Sequence, residues 1–192
     1  SLILSFYTFI SRSNADNNKK TTSFYSELIP INVSHGQSII LTHGCSISLF
    51  DVGGHASKYN HFLKVIKSEM QKRKNNYITK LFISHAHRDH TNYFLPLYTE
   101  GMRYGEIYTN QKASLLPGFP KVIEQTSKRN NVNIVSTKSY SPMSISLSKE
   151  ESCGAKDLTI DILWGTLQKN DNARSKEYKK KLENNNSLVV GV

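Results

Sequence analysis

Acidic side chains are scarce in this chain. Fifteen Asp and Glu stand against 25 Lys and Arg, a formal net charge of +10 over 192 residues. That balance favours polyanionic partners such as nucleic acid or an anionic lipid surface. It describes a merely basic surface equally well, because the cations are spread along the sequence. Cysteine is nearly missing: Cys45 and Cys153 are the only two. They show no CxxC spacing and neither lies in the histidine-rich stretch, which argues against a cysteine-built metal site. The pair could be bonded in an exported protein, or could be free buried thiols. Long apolar runs are missing too. The N-terminal patch Leu2 to Ile10 falls well short of the roughly 20 residues a membrane span needs. No internal repeat is visible, and no histidine occurs after His90. With 38% hydrophobic and 21% charged residues, the composition is that of an ordinary globular chain, long enough for one domain with a real core.

What the sequence does hold is one dense stretch, Ser84-His85-Ala86-His87-Arg88-Asp89-His90. Four candidate metal ligands fall within six positions, directly after the apolar run Leu81-Phe82-Ile83. That run reads as a buried strand, and strand ends are where open α/β sheets place their sites. Residues two apart in extended backbone point the same way, so His85 and His87 can reach one metal ion together. Asp89 and His90 follow as the chain turns and can aim at a neighbouring point. Two metals about 3.5–4 Å apart form a known hydrolytic arrangement. Imidazole with one carboxylate suits zinc first, with manganese or iron as other candidates. Arg88 could meet an anionic group or be a surface charge.

SHAHRDH resembles the HxHxDH signature of the metallo-β-lactamase superfamily of metallo-hydrolases, with all four signature residues present. The similarity extends upstream. INVSHGQSIIL…SISLFDVGG is similar to the opening of the branch that includes the hydrolase domain of competence-type DNA-uptake channels (ComEC-like). Gly36 matches that branch's first turn, whereas Gln37 stands where an Asp is usual. Asp51 matches the Asp of the superfamily's first motif. The resemblance gives it the role of holding the ligand loop by hydrogen bonds; a strand-end turn residue is the other reading. The resemblance implies an α/β (α+β) fold, an αββα sandwich of which mainly the N-terminal half is present, and two divalent metals. His85 and His87 would hold one metal, Asp89 and His90 the other, with Asp89 also counted as catalytic. A metal-activated water would attack an ester-like bond, a phosphodiester before a lactone or β-lactam. The superfamily's third His, bridging Asp and last His cannot be assigned here, so the expectation is a domain over residues 23–192 that lacks its C-terminal part. A nucleic-acid-binding module and a truncated non-catalytic fragment with a half-built site stay open beside the hydrolase.

Taken in order, residues 1–22 read as the tail of a signal peptide and a polar linker, implying export, or else as a short strand or frayed end in a cytoplasmic chain. Strands are expected at Ile29–Val33, at Gln37–Leu41 and, after a Thr42-His43-Gly44 turn, at Cys45–Phe50. Glycines at 53 and 54 would let backbone pass close to a site. Of the lone histidines, His35 and His55 lie in loops the fold would bring near the metals, His43 is expected in a solvated turn, and His61 on a helix. Ser57–Lys74 has the apolar spacing of an amphipathic helix through Phe62, Leu63, Ile66 and Met70. A strand at Tyr77–Ile83 then delivers the ligand stretch. Further expectations are a helix over Asn92–Thr99 broken or kinked at Pro96, strands at Glu106–Thr109, Asn133–Ser136, Ser144–Leu147 and Leu158–Trp164, and a helix at Phe119–Lys128. The basic loop 165–186 would carry a short helix across Ser175–Leu182, and a last strand would span Ser187–Val192. The basic loop could touch a nucleic-acid backbone but holds only Tyr178 for stacking.

Overall fold

Ile78 to Ile83 forms a strand in which every residue is buried, and the rest of the molecule is layered on its two faces. The computed structural model describes residues 26–85, 87–109, 133–136, 143–148, 151–164 and 189–191. Six strands make the first sheet, in chain order: β1 (Ser26–Pro30), β2 (Ile39–His43), β3 (Ser46–Phe50), β4 (Ile78–Ile83), β5 (Tyr104–Thr109) and β6 (Asn133–Ser136). The first three pair antiparallel, and β3 to β6 run parallel. Helix α1 (Tyr59–Arg73) connects β3 to β4, and the short helices α2 (Arg88–Thr91) and α3 (Phe94–Thr99) connect β4 to β5. A second, antiparallel sheet holds β7 (Met143–Leu147), β8 (Leu158–Trp164) and β9 (Val189–Gly191).

Alternation along the strands explains the layering. Leu81 and Ile83 of β4 join Ile40, Ile47, Leu49 and Ile107 in a core with Phe62 and Ile66 of α1. Phe82, between them, faces the other way and joins Leu41 and Tyr108 against Ile145, Leu147, Ile160 and Ile162 of the second sheet. This period-2 division is the sheet geometry itself. The order helix, sheet, sheet makes three of the four layers of the α/β sandwich read from the sequence. Lys80 shares the Phe82 side of β4. It is buried, and its ammonium donates to Glu106 Oε2 at 2.7 Å and Glu151 Oε1 at 2.9 Å. Tyr108 donates to the same Glu106 oxygen. Burial lowers the Lys80 pKa, but the two carboxylates outweigh it and the net shift is upward.

Several boundaries differ from the expectation. The first strand is Ser26–Pro30, three residues earlier than read; Ile31 and Val33 are buried as the apolar pattern implied, but outside the strand. The hairpin turns at Gly44-Cys45, because β2 continues through Thr42 and His43. His43 is therefore buried rather than solvated. Its ring bonds Ser26 Oγ at 2.9 Å and the Lys156 carbonyl, joining β1, β2 and the approach to β8. Helix α1 begins at Tyr59 and ends at Arg73, and Lys74 caps it in a left-handed conformation with φ 52°. Pro96 neither breaks nor kinks α3, since it lies in the first turn, where a backbone N–H has no partner within the helix anyway. The strands at Asn133–Ser136, Met143–Leu147 and Leu158–Trp164 stand close to where they were read. The expected helices at Phe119–Lys128 and Ser175–Leu182, the basic loop and residues 1–22 lie outside the described residues.

Cys45 and Cys153 are bonded, with Cα atoms 5.7 Å apart and a sequence separation of 108. The bond fastens the β2–β3 turn to the turn between β7 and β8. Cys45 N–H also donates to the Ser152 carbonyl at 3.4 Å. In the chain-entropy model a loop of this length is worth about 4–5 kcal/mol. Cys45→Ser should therefore lower the unfolding free energy by about 2–5 kcal/mol in urea titrations without reductant, and reductant should destabilise the parent chain but leave the variant unchanged.

Candidate metal site

Two parallel strands end side by side at the site. Phe50 of β3 and Phe82 of β4 are in register and their rings stack at 4.8 Å. Asp51 follows β3 and Ser84 follows β4. Asp51 is buried and its backbone is left-handed, φ 57°, a conformation that Asp and Asn tolerate better than most residues. Its N–H still donates to the Phe82 carbonyl at 2.8 Å. The turned backbone carries the carboxylate over the end of β4. There Oδ1 accepts from the Ser84 N–H at 2.7 Å. Oδ2 contacts the Ser84 hydroxyl at 2.6 Å and His90 Nδ1 at 2.7 Å.

His85 is buried, His87 is in extended backbone with φ −69° and ψ 144°, and α2 begins at Arg88. His85 Nε2 and His87 Nδ1 face each other at 3.0 Å, and the His85 and His90 rings lie 4.1 Å apart. His90 Nε2 stands 3.9 Å from Asp89 Oδ2. The His85 and His87 rings are 4.6 Å apart, so His85 lies between His87 and His90, with Asp89 beside His90. Asp89 and Arg88 are exposed, while His87 and His90 are half-buried.

Backbone packing holds this turn. Val52 N–H donates to the His90 carbonyl and Tyr93 N–H to the Val52 carbonyl, both at 2.9 Å. Asn92 exchanges hydrogen bonds with both backbone groups of Gly54, at 2.9 and 2.7 Å. A side chain on Gly53 would collide with the Asp89 and His90 backbone, and one on Gly36 with the Asp89 carbonyl. The close approach expected of the glycines after Asp51 is therefore made, and Gly36 supplies a second. His35 and His55 are exposed on the loops carrying these glycines; His55 caps a short 3-10 turn through Ser57, and His61 is exposed on α1.

The His85 and His90 imidazoles are shifted in opposite directions. Burial, with His90 and His87 nearby, pushes His85 down to about 3 despite the opposing pull of Asp89, so its imidazole is neutral at physiological pH. Burial also lowers His90, but its hydrogen bond and charge interaction with Asp51, aided by Asp89, outweigh that and raise it overall. The 3.0 Å contact between His85 Nε2 and His87 Nδ1 is a hydrogen bond whose donor is set by the ring tautomers. The donor chemistry, imidazole with carboxylate and a carboxylate behind His90, is that of zinc and similar ions. Among the described residues, however, no three His, Cys, Asp or Glu side chains stand together as one metal site. The residues present fit as two donor pairs, one short of the three protein ligands of a usual catalytic zinc.

Ser84 and Ser38 were not singled out by sequence reasoning. Ser38 is buried and bonds both the N–H and the carbonyl of Gly53, at 3.2 and 3.1 Å. A serine directly before HxHxDH was a signal for the first; nothing in the sequence marked the second.

No protein-family model matches the chain, and no curated protein matches it. Among solved structures it is similar to a diphosphatase of the PhnP family, at 14% identity and a TM-score of 0.33, covering 58% of this chain and 43% of that one. It is similar also to the apo state of the chemotaxis sensor ODP from T. denticola, at 16% identity and TM-score 0.42, covering 73% and 53%. A third is the metallo-β-lactamase fold protein YhfI from Bacillus subtilis, at 11% identity and TM-score 0.38, covering 70% and 53%. The chain thus spans about half the length of these structures, and likeness at this level does not assign it to a family.

The His85 shift gives a test of the geometry in metal-free protein. A histidine whose folded pKa is depressed contributes stability that is complete above the unfolded value near 6.5 and is lost as pH falls toward 3. His85→Asn should remove that contribution. Its urea midpoint should fall less between pH 7 and pH 5 than that of the parent; equal slopes would mean that His85 is not held neutral in the fold. Gly53→Ala should cost more than the ~1 kcal/mol spread of ordinary substitutions, read in the same titration at pH 7, because backbone rather than a movable side chain blocks the added methyl.

Proposed function

We propose that this chain carries the first ligand cluster of a metal-dependent hydrolase of the metallo-β-lactamase superfamily, in its ComEC-like branch, acting on a phosphodiester. The observation that carries the reading is the pair of facing nitrogens, His85 Nε2 and His87 Nδ1 at 3.0 Å, beside the Asp89–His90 pair and at the carboxyl end of a central parallel strand. His85 and His87 hold one divalent cation, and Asp89 and His90 hold the second. Bound there, the cations supply Lewis-acid charge and lower the pKa of an attacking water. Asp51 keeps His90 oriented by its hydrogen bond, and Gly36 and Gly53 let the turn sit close against its supporting loops. Each cation needs at least one further donor from outside the described residues.

The phosphodiester reading draws on the basic excess, since cations on the surface hold backbone phosphates in a salt-dependent way. Lactones and β-lactams are the alternative substrates. The Cys45–Cys153 bond supports export, because disulfides persist in oxidising compartments; among the described residues no helix is long and apolar enough to cross a membrane. The two-donor pairs favour one competing reading, a binding module with a half-built site that does not turn over.

Hydrolysis of a generic bis-aryl phosphodiester by the chain loaded with zinc or manganese should disappear in EDTA and in His87→Ala, and return for the parent on adding metal. Activity that survives both changes would remove the hydrolase reading. Salt-sensitive binding to single-stranded DNA that persists in EDTA, with no turnover in any metal, would instead select the binding module.

A further inference from the structure

The Ser84 hydroxyl has one proton to give and several neighbours that could take it. Asp51 Oδ2 lies 2.6 Å from Oγ, His85 Nδ1 2.9 Å and His90 Nδ1 3.4 Å. An ionised carboxylate can only accept, and 2.6 Å is the length expected of an O–H bond to a carboxylate. The Ser84 proton therefore goes to Asp51. The hydroxyl oxygen is left with lone pairs toward His85, so the 2.9 Å contact is a hydrogen bond only when His85 Nδ1 carries the ring proton. We infer that Ser84 is a positioning residue that fixes His85 in its Nδ1–H tautomer, turning the Nε2 lone pair toward His87 Nδ1, where a divalent cation would be held.

This inference rests on the metal site proposed above, and it assigns a residue that the HxHxDH pattern does not contain. His90 reaches the same state by a shorter route, donating from Nδ1 directly to Asp51 Oδ2 at 2.7 Å. One carboxylate then sets two imidazoles, His90 directly and His85 through a hydroxyl. With the other tautomer, His85 would aim an N–H at the place of the cation, and the ring would have to shed that proton or turn over before it could ligate. The Asp51 bond from the Ser84 N–H at 2.7 Å does not involve the hydroxyl, so a change of the side chain leaves the carboxylate anchored.

Histidine-labelled chain, metal-free in EDTA at neutral pH, distinguishes protonated from unprotonated ring nitrogens in long-range proton–nitrogen spectra. In the parent, His85 should show a protonated Nδ1 and an unprotonated Nε2. Ser84→Ala should give mixed or exchanged His85 tautomers and leave His90 as it was; Ser84→Thr, which keeps the hydroxyl, should restore the parent pattern. Asp51→Asn should disturb both rings. Zinc binding, read by competition with a chromophoric chelator, should weaken about 10- to 100-fold in Ser84→Ala and recover in Ser84→Thr. A parent His85 protonated on Nε2, or a Ser84→Ala chain with His85 tautomer and zinc affinity unchanged, overturns the inference. Failure of the parent to take up zinc would overturn the metal reading instead, and the tautomer comparison in metal-free protein would still decide the role of Ser84.

Discussion

The Asp51 carboxylate is the constraint on which the rest of the site depends. It is buried at the ends of two parallel strands, where an unpartnered charge would be costly. Ser84 N–H, Ser84 Oγ and His90 Nδ1 meet it within 2.7 Å. These contacts come from opposite ends of the ligand turn, so one side chain fixes both the place where the turn leaves β4 and the place where it enters α2. The left-handed backbone at Asp51 belongs to the same device. In extended conformation the residue would continue β3 past the sheet; turned, it crosses to β4 while its N–H keeps the Phe82 carbonyl. Uncommon conformations persist where surrounding bonds over-determine them, and four hydrogen bonds on one residue do that here.

Glycine does for the outside of the turn what Asp51 does for the inside. Gly36 and Gly53 bring backbone against the Asp89 carbonyl from two loops, and Val52 and Gly54 bond the turn and Asn92 on either side. Loops pressed together at backbone distance have little room to shift, so donor spacing within the turn is set before any ion arrives. Positioning of this kind removes part of the ordering cost of binding, and hydrogen-bonded supports behind metal ligands are commonly worth one to two orders of magnitude in affinity.

Local pattern carried most of what was readable in advance. The continuous apolar run Leu81-Phe82-Ile83 and the helical spacing of Phe62 and Ile66 pointed to the α/β class, because a strand buried on both faces leaves an unbroken apolar run in a sequence. That four donor side chains would cluster was readable because they fall within six residues of one turn. What could not be read depended on contacts between distant segments. The extension of β2 through His43 is held by Ser26 and Lys156, 17 and 113 residues away. Nothing in the sequence marked Lys80 as buried; it is buried because Glu106 faces it in register on β5 and Glu151 reaches it from beyond β7. Pro96 was misread for a local reason: the short α2 ends and α3 starts two residues before it, which puts the proline where its missing N–H costs nothing.

The same division between local and distant contacts bears on what the site can do. Donors within one short turn need little loop closure to come together, so His85 with His87 and Asp89 with His90 form cheaply. If the proposed metal site is right, a third donor would be brought from another segment, at an entropic cost that grows only slowly with the length of the loop. Because that cost is small against the stabilisation a metal ligand supplies, nothing in the physics of the turn opposes completing each pair from a remote segment. In the proposed site, the donors of this turn are the part that local geometry can build, with Asp51 behind one imidazole directly and behind the other through Ser84.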